Sequence, residues 1–339
     1  MEKIKLGHIG TRHDHSRAKL EGAKKFPDLF EIVGIVPESP AVAEKIKNDK
    51  VYGDVPVMTE EELFAVPGLD AVLCEGYELE SVAAAQRCID HGVHVHLDKP
   101  GGEDIAAYEH MLRDAKRKNL VVQLGYMYRY NPAVLYMHDL VNDGRIGEIT
   151  AIDAQMSTQH DMRVNKLLSG FKGGNMFWLG CHLIDLIYSV AGVPDEIIPM
   201  HNKSGFILDG VLDNTFAVLK YPKFVATVRI NSTEVNGYGR RQFVLCGREG
   251  SVEIKPLENP TKMTFADRRM TGNNIYNDVK AEIPFQKPTG RYDVMLHDFA
   301  AYIRGTKKNP FDYDYELQLQ KMILAACGFD VDFKTPTVL

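Results

Sequence analysis

The chain has 339 residues, of which 45% are hydrophobic and 25% are charged, and its formal net charge is −6. This balance is typical of a globular protein with room for two domains, and it gives no general attraction to nucleic acid or anionic lipid. No apolar run approaches the roughly 18 residues that a membrane-spanning helix needs, and the N-terminus lacks a signal-peptide core. We therefore expect a cytoplasmic protein that binds neither nucleic acid nor membranes.

The first third of the chain alternates short β-branched runs with amphipathic segments. The predicted strands are KIKLGHIG, FEIVGIV, DAVLCEG, VHVHLD and LVVQLGY, and helix-like segments cover residues 16–25, AVAEKIKND, ESVAAAQRCIDHG and AAYEHMLRDAKRKN. Strands that alternate with helices through short connections predict a parallel sheet covered by helices on both faces. We assign residues 1–124 to this Rossmann-like, doubly wound α/β domain.

From Glu148 onward the predicted strands are longer: EITAIDAQMST, TFAVLKY, FVATVRINST, RQFVLCG and SVEIKP. Consecutive strands joined by turn signals such as YPK and GREG predict a largely antiparallel sheet. Helix-like segments accompany the sheet at about 132–142, 174–192 and 315–329, and the apolar spacing of the last two fits one buried face. We assign residues 125–339 to this α+β domain with an open sheet.

The five cysteines are dispersed and never spaced as Cys-x-x-Cys. This pattern predicts neither a disulfide framework nor a thiolate zinc site. We expect buried free thiols.

The segment GTRHDHS, residues 10–16, follows the first predicted strand, where a dinucleotide-binding fold has its phosphate loop. That loop normally reads Gly-x-Gly-x-x-Gly, because glycines permit a tight turn and a close approach of the backbone to the pyrophosphate. Only Gly10 remains, and Arg12 and His15 stand at the second and third glycine positions. Side chains of the loop can contact phosphate instead. The candidate cofactor-binding residues are Gly10, Thr11, Arg12, His13 and His15.

The pair His13 and His15 has a rival interpretation, because two histidines at the end of a first strand can share a metal ion in barrel hydrolases. His94 and His96 alternate onto one face of a later predicted strand and suggest a second ligand pair. A barrel needs eight strand–helix units, whereas antiparallel strands replace that pattern after about residue 148. The organisation therefore favours a dinucleotide fold without a metal.

Three stretches together resemble one known family. They are HVHLDKPGG at residues 94–102, GYMYRYNP at 125–132 and GGNMFWLGCHLIDLI at 173–187. The first is similar to the Glu-Lys-Pro signature of the glucose-fructose oxidoreductase/inositol dehydrogenase (Gfo/Idh/MocA) family. The second resembles that family's Arg-containing segment at the domain junction, and the third its Gly-Gly opening and Gly-x-His-x-x-Asp helix. The resemblance covers nearly the whole chain and implies an NAD(P)-dependent oxidoreductase.

Lys99 lies just beyond the end of a predicted parallel strand, at the edge where α/β sheets bind ligands. Its ammonium group can hydrogen-bond a substrate hydroxyl and stabilise the alkoxide character that develops as hydride leaves the carbon. We therefore predict that Lys99 is catalytic and contacts both substrate and cofactor. Asp98 and Pro100 are candidate cofactor contacts, and the resemblance implies a cis Lys99–Pro100 bond.

The predicted helix near 174–192 carries polar side chains at intervals of three, four and three residues. They are Asn175, Trp178, His182 and Asp185. Residues at this spacing line one stripe of an α-helix. An imidazole accepts a hydroxyl proton near neutral pH, so we predict that His182 is the general acid/base and that Asp185 orients or pairs with it.

This helix departs from the family pattern at Trp178, where many members carry Asp. The exchange removes a carboxylate and supplies an aromatic face on which a sugar ring can pack. His160 and Asp161, after EITAIDAQMST, are candidates for the missing polar group. Together with Arg129 of GYMYRYNP, these residues are the remaining predicted substrate contacts.

The end of the second predicted strand bears on the cofactor, because an acidic residue there binds the ribose hydroxyls and favours NAD over NADP. Pro37 stands at that position and Glu38 follows it, while Arg12 offers a contact for a 2′-phosphate. We expect NAD or NADP, with a slight preference for NAD.

The sequence thus predicts an NAD(P)-dependent oxidoreductase that acts on a hydroxyl of a sugar, cyclitol or related polyol. Two alternatives remain open. One is a redox-neutral, NAD-dependent epimerase, lyase or glycosidase on the same fold, and the other is a non-catalytic dinucleotide or sugar sensor. An open sheet leaves one face to cover, which usually means a partner surface. We therefore expect a homodimer or homotetramer, as the family resemblance also implies.

Overall fold

The computed structural model describes residues 2–272, 276, 278–286 and 289–339, and the chain forms two compact units. The first unit contains residues 1–127, 289–320 and 337–339, and the second contains residues 128–288 and 321–336. The segment 289–320, which the sequence analysis assigned to the second domain, therefore belongs to the unit that holds the parallel sheet.

The described strands and α-helices have the following bounds. The strands are β1 (Ile4–Ile9), β2 (Phe30–Val36), β3 (Ala71–Cys74), β4 (His94–Leu97), β5 (Val122–Leu124), β6 (Ile149–Gln155), β7 (Glu196–Asn202), β8 (Asn214–Lys220), β9 (Val225–Asn231), β10 (Gln242–Gly247), β11 (Gly250–Ile254), β12 (Lys262–Asp267) and β13 (Ala281–Pro284). The helices are α1 (Ser16–Lys24), α2 (Pro40–Ile46), α3 (Glu60–Phe64), α4 (Ser81–Asp90), α5 (Ile105–Arg117), α6 (Pro132–Asn142), α7 (Met162–Leu168), α8 (Cys181–Ala191), α9 (Arg268–Thr271), α10 (Asp293–Ile303) and α11 (Tyr313–Ala326).

The first unit is built on a parallel sheet with the strand order β2-β1-β3-β4-β5. Every residue of β3 and β5 is buried, as expected for strands covered on both faces; β3 is a continuous apolar run, whereas β5 contains Gln123. The predicted Rossmann-like fold is confirmed. Loops that follow β1, β3 and β4 all leave the carboxyl edge of the sheet, which places their residues side by side.

The second unit contains an eight-stranded sheet with the order β13-β12-β11-β10-β6-β9-β8-β7. Its neighbouring strands pair antiparallel, except that β6 and β9 are parallel. Buried and half-buried residues alternate along β8, as expected for a sheet with one packed face. Helix α8 contacts β6 and β9. The predicted, largely antiparallel α+β architecture is confirmed.

The segment that was predicted as one helix near 174–192 has two parts. A π-helical turn, Met176–Gly180, precedes α8. A Cβ atom on Gly180 would lie 2.4 Å from Met176 Sδ, so a larger residue there would displace the Met176 side chain. Because a π turn has more residues than an α turn, the 3.6-residue period that defined the polar stripe does not hold across it.

All five cysteines are free, as predicted, but Cys246 is only half-buried. Cys246 lies on β10, where alternate residues face away from the packed side of the sheet. Among the described residues, no helix is both long enough and apolar enough to cross a bilayer.

Candidate functional site

The loop after β1 turns sharply at Gly10, which has a φ of +85°. A Cβ atom at this position would lie 2.5 Å from the Gly76 backbone, so only glycine allows the two loops to approach. The amides of Thr11 and Arg12 both donate to Glu38 Oε1, at 2.6 and 2.8 Å, and the Thr11 hydroxyl donates to Glu38 Oε2 at 2.7 Å. A carboxylate thus accepts the hydrogen bonds that the loop backbone offers.

A cavity of about 510 Å³ opens beside this loop, within the first unit. Gly10, Glu38, Gly76, Glu80 and Arg87 are among its lining residues. Its volume lies in the usual range for small-ligand sites. A cavity of this size, a glycine turn and backbone amides that already bind an anionic oxygen fit the adenosine and phosphate parts of a dinucleotide.

The Arg12 side chain lies over a ring, with its guanidinium carbon 4.6 Å from the centre of Tyr77. Arg12 stands at the second glycine position of the usual loop. Its cationic side chain is therefore held at the loop by an aromatic face, where it can meet an anionic ligand.

A buried group of charged and imidazole side chains lies at the carboxyl ends of β1, β3 and β4. Lys19 of α1 contacts Glu75 Oε1 at 2.8 Å and Asp98 Oδ2 at 2.7 Å. His13 Nδ1 and His15 Nδ1 lie 2.9 and 3.1 Å from the same Asp98 oxygen. Among the described residues, His13, His15 and Asp98 form the one group with the spacing of a metal site.

Burial and neighbouring charges shift the pKa values of this group in different directions. Burial opposes ionisation of Asp98, but His13, Lys19 and His15 outweigh it and hold the pKa of Asp98 well below its usual range. Burial raises the pKa of Glu75 well above its usual range, because Lys19 offsets it only in part. Burial acts to lower the pKa of Lys19, yet the carboxylates of Asp98 and Glu75 raise it. Lys19 and Asp98 therefore form the charged pair at the centre of the group.

His94 and His96, the other histidine pair singled out in the sequence, have separate partners. The Val121 amide donates to His94 Nδ1 at 2.9 Å, and His96 Nδ1 lies 2.9 Å from Gln123 Oε1. Burial lowers the pKa of His96 to about 3. These contacts give both rings structural roles next to β5.

Lys99 follows β4 and is 1% exposed. Its amide donates to Asp98 Oδ1 at 2.7 Å, and the Lys99–Pro100 bond is cis. Gln320 fixes the next two residues, because it accepts from the Gly101 amide at 3.1 Å and donates to the Gly102 carbonyl at 2.6 Å. The lysine is therefore carried by a turn that is hydrogen-bonded on both sides.

In the second unit, His182 is buried near the start of α8, and the Tyr128 ring packs edge-on against it with 4.9 Å between ring centres. The Tyr128 hydroxyl donates to Glu258, which also accepts from Arg241 at 2.9 Å. Arg241 in turn donates to Thr158 at 2.6 Å. A buried polar network thus holds the aromatic ring that contacts the predicted acid/base.

The predicted partner of His182, Asp185, forms a buried ion pair with Arg129. Arg129 Nε donates to both Asp185 oxygens, at 3.1 and 2.9 Å, and Arg129 Nη2 donates to Oδ1 at 2.9 Å. Such a forked geometry fixes both side chains. The two predicted site residues Arg129 and Asp185 therefore bind each other.

The remaining predicted residues of this unit divide into two groups. His160 and Trp178 contact each other edge-on, with ring centres 5.6 Å apart. Asp161 is exposed and caps α7 by accepting from the Val164 amide at 2.9 Å. Asn175 Nδ2 donates to Ser232 Oγ at 2.7 Å. The aromatic pair of His160 and Trp178 therefore remains a candidate substrate surface. Asp161 and Asn175 instead form hydrogen bonds that stabilise the fold.

Sequence reasoning missed Lys19, Glu75, Tyr128, Arg241 and Glu258. A signal existed for Lys19, because it lies in the buried stripe of α1 with Ser16, Leu20 and Ala23. A lysine in such a stripe predicts a buried ion pair. No comparable signal marked the network of Tyr128, which joins residues more than 100 positions apart.

Two family models match most of the chain. Residues 4–126 match the model described as an oxidoreductase family with an NAD-binding Rossmann fold, and residues 134–253 match the GFO/IDH/MocA C-terminal domain. The chain belongs to the GFO/IDH/MocA oxidoreductase family. The family predicted from the three sequence stretches is thus confirmed.

Similar proteins within this family include several dehydrogenases. An uncharacterized oxidoreductase of Rhizobium meliloti is 24% identical over 96% of both chains. A myo-inositol 2-dehydrogenase of Thermotoga maritima is 25% identical over 62% of this chain and 67% of its own. A scyllo-inositol 2-dehydrogenase (NADP(+)) of Bacillus subtilis is 22% identical over 93% of each chain.

Solved structures with the same fold include a levoglucosan dehydrogenase in complex with NADH and levoglucosan. Its TM-score is 0.81 at 15% identity, over 96% of this chain and 98% of that one. At this identity the likeness establishes the fold alone.

Proposed function

We propose that this protein is an NAD(P)-dependent dehydrogenase that oxidises a hydroxyl group of a sugar, cyclitol or related polyol. The observation that carries the proposal is the Lys99 turn at the carboxyl end of β4, in the unit that also holds the glycine loop and the 510 Å³ cavity. Relatives that act on inositols support this substrate class. The bound nicotinamide would supply the hydride acceptor.

Lys99 would bind the reacting hydroxyl. Its backbone is held by Asp98 and the following turn by Gln320, and its side chain is buried, which restricts where the ammonium group can lie. A cation fixed before the reaction stabilises the developing negative charge on oxygen without reorganising. We assign Lys99 the role of polarising the hydroxyl group.

His182 would exchange the hydroxyl proton. An imidazole can carry out this exchange near neutral pH, and Tyr128 packed against the ring restricts its orientation. The assignment of Lys99 and His182 to one reaction comes from the sequence pattern that they share with the family.

Asp185 and Arg129 would act by positioning α8 rather than by transferring a proton, because each charge is bound to the other. Trp178 and His160 would provide an aromatic and polar surface for the sugar ring, in place of the Asp that many family members carry.

We propose NAD as the preferred cofactor. Glu38 and Glu80 line the cavity together with the ion pair of Glu60 and Arg87, and the negative charge that remains disfavours the additional 2′-phosphate of NADP. Arg12 would contact the shared diphosphate, from its place over Tyr77.

We also propose a homodimer or homotetramer that uses the eight-stranded sheet. Ile198 and Met200 of the edge strand β7 are 39% and 58% exposed, and Val225 at the start of β9 is 44% exposed. Exposed apolar side chains on a sheet favour association with a second copy. Light scattering on the purified protein tests this, and a monomeric mass contradicts it.

The experiment for the main proposal has two steps. Protein purified from the cell is denatured, and released NAD(H) and NADP(H) are measured by mass spectrometry, followed by calorimetric titration of each form into cofactor-free protein. The protein is then assayed for reduced nicotinamide with inositols, hexoses and levoglucosan. Binding together with turnover supports the proposal. Tight binding without turnover across the panel supports a sensor, and consumption of sugar without reduced nicotinamide supports the redox-neutral alternative.

A further inference from the structure

The buried group at the carboxyl edge of the first unit contains three side chains whose ligand atoms converge. His13 Nδ1, His15 Nδ1 and Asp98 Oδ2 all lie within 4.8 Å of one another. Both nitrogens are close to the same oxygen, at 2.9 and 3.1 Å, and the two rings are inclined by 64°. The geometry points to a binding site for a divalent transition-metal ion at His13, His15 and Asp98. This site goes beyond the dehydrogenase function proposed above.

The spacing of the three atoms suits such an ion. In a tetrahedral site with metal–ligand distances of about 2.0–2.2 Å, neighbouring ligand atoms lie about 3.3–3.6 Å apart. The distances of 2.9 and 3.1 Å are shorter than this spacing by about 0.2–0.7 Å, so side-chain rotations would have to move the three atoms slightly apart to admit an ion. Two imidazoles and one carboxylate select zinc, iron or cobalt rather than magnesium or calcium.

The contacts of His13 place its Nδ1 atom at the centre of the group. The His15 amide donates to His13 Nδ1 at 3.1 Å, and a metal ion would take over the single lone pair that accepts this hydrogen bond. The same nitrogen lies 2.9 Å from Asp98 Oδ2, and a proton or a metal ion between the two atoms removes the repulsion between their lone pairs. With Nδ1 as the acceptor the ring proton is on Nε2, which lies 3.6 Å from Glu78 Oε1. An imidazole directed at an outer carboxylate is common among metal-bound histidines.

The formal charges of the surrounding residues favour the same ion. Glu75, Glu78 and Asp98 are buried carboxylates, and Lys19 is the ammonium group that pairs with two of them. With neutral imidazoles and all three carboxylates ionised, this set would carry a formal charge of −2, a state that is costly in a buried position without a further cation. Glu75 Oε2 has no hydrogen-bond partner within the described part of the chain. A divalent cation would neutralise the set.

Lys19 and the metal would share one ligand oxygen. Lys19 Nζ lies 2.7 Å from Asp98 Oδ2 and 2.8 Å from Glu75 Oε1, so the ammonium can keep Glu75 as its partner when a metal takes Asp98. The Lys99 amide already binds the other Asp98 oxygen. The metal would therefore bind beside the Lys99 turn and retain a coordination position for water or a ligand oxygen.

The test uses the full-length protein, stripped with a chelator, in the absence of dinucleotide and substrate. Co²⁺ is titrated while its visible d–d absorption is followed, and Zn²⁺ is then added as a competitor. We expect one saturable Co²⁺ site that Zn²⁺ displaces. His13→Asn and His15→Asn should each weaken Co²⁺ binding by at least about tenfold. His110→Asn, which changes an exposed histidine of the same unit, should leave it within about twofold.

The direction in which Lys19→Met changes the Co²⁺ affinity tests whether Asp98 Oδ2 is a metal ligand. Removing the ammonium that competes for Asp98 should tighten Co²⁺ binding, and an unchanged affinity in folded protein contradicts Asp98 as a ligand. Absence of saturable binding to the unmodified protein, or equal binding by folded His15→Asn, overturns the site and leaves the side chains joined by hydrogen bonds alone. Dinucleotide binding is measured in a separate titration with chelator present. Its result bears on the dehydrogenase proposal alone, so the two proposals can be overturned separately.

Discussion

Arg129 and Asp185, 56 positions apart, form a forked ion pair in the interior of the second unit. Their side chains are 4% and 2% exposed. Removal of one member of such a pair leaves an uncompensated charge where water cannot reach it. The pair therefore links the segment that begins the second unit to the helix that carries His182.

We expect Asp185→Asn and Arg129→Met each to lower the free energy of unfolding by roughly 3–5 kcal/mol. The double variant Arg129→Met with Asp185→Asn should be destabilised by less than the sum of the two, because it leaves no unpaired charge. Urea denaturation followed by circular dichroism measures all three. Additive losses would mean that the two side chains do not depend on each other.

Lys99→Ala should reduce kcat/KM for the best polyol substrate by about 100- to 1,000-fold, because it removes the cation that stabilises the developing alkoxide. Dinucleotide affinity should stay within a few-fold. Steady-state assays and calorimetry measure the two quantities. Lys45→Ala changes an exposed lysine of α2 and serves as the matched control. Turnover by Lys99→Ala at the rate of the control would exclude the catalytic assignment.

Glu38→Gln should change the cofactor preference. The variant keeps an amide oxygen for the Thr11 and Arg12 amides but removes a negative charge from the cavity. We expect the affinity for NADP to rise relative to NAD by about fivefold, which corresponds to about 1 kcal/mol, the upper end for an exposed charge. Calorimetric titration of both cofactors checks this. The control is Glu61→Gln, at an exposed position next in sequence to the cavity residue Glu60. This variant should leave the affinities for both cofactors unchanged.

Gly10→Ala should destabilise the first unit by roughly 2–4 kcal/mol. The substitution combines a left-handed φ of +85° with a Cβ atom 2.5 Å from the Gly76 backbone, and backbone cannot move aside as a flexible side chain can. Gly76→Ala is the control, since a Cβ atom there meets nothing within 4 Å. Equal midpoints for the two variants in urea would show that the close approach is not required.

His8 should make the free energy of unfolding depend on pH under mildly acidic conditions. Burial lowers the pKa of His8 from 6.5 to about 3, so the unfolded chain binds a proton between these values while the folded chain does not. Stability is therefore lost as the pH falls below 6.5 towards 3, by up to about 1.4 kcal/mol per pH unit.

The variant His8→Gln should reduce that slope between pH 4 and 6, measured by urea denaturation at several pH values. His110→Gln, at an exposed position, should leave the slope as it is. A slope that is the same in both variants would assign the pH dependence to other groups.

Local patterns determined much of this protein. Alternating β-branched and amphipathic runs predicted the parallel sheet, because strand and helix periodicities are properties of a few consecutive residues. The order of strands also predicted that Lys99 follows β4 at the ligand-binding edge, and the family stretches singled out His182 as the candidate acid/base. The second sheet and its antiparallel pairing were likewise readable from strand length and turn signals.

The tertiary structure decided which distant side chains meet. Glu38 binds the loop at Thr11, Lys19 joins Glu75 to Asp98, and Arg129 pairs with Asp185. The partners in each pair are too far apart in sequence to share a helical turn or a hairpin. Helix and strand periodicity therefore could not predict these contacts. Each polar or charged group needs a partner after folding, and which partner is within reach depends on how the whole unit packs.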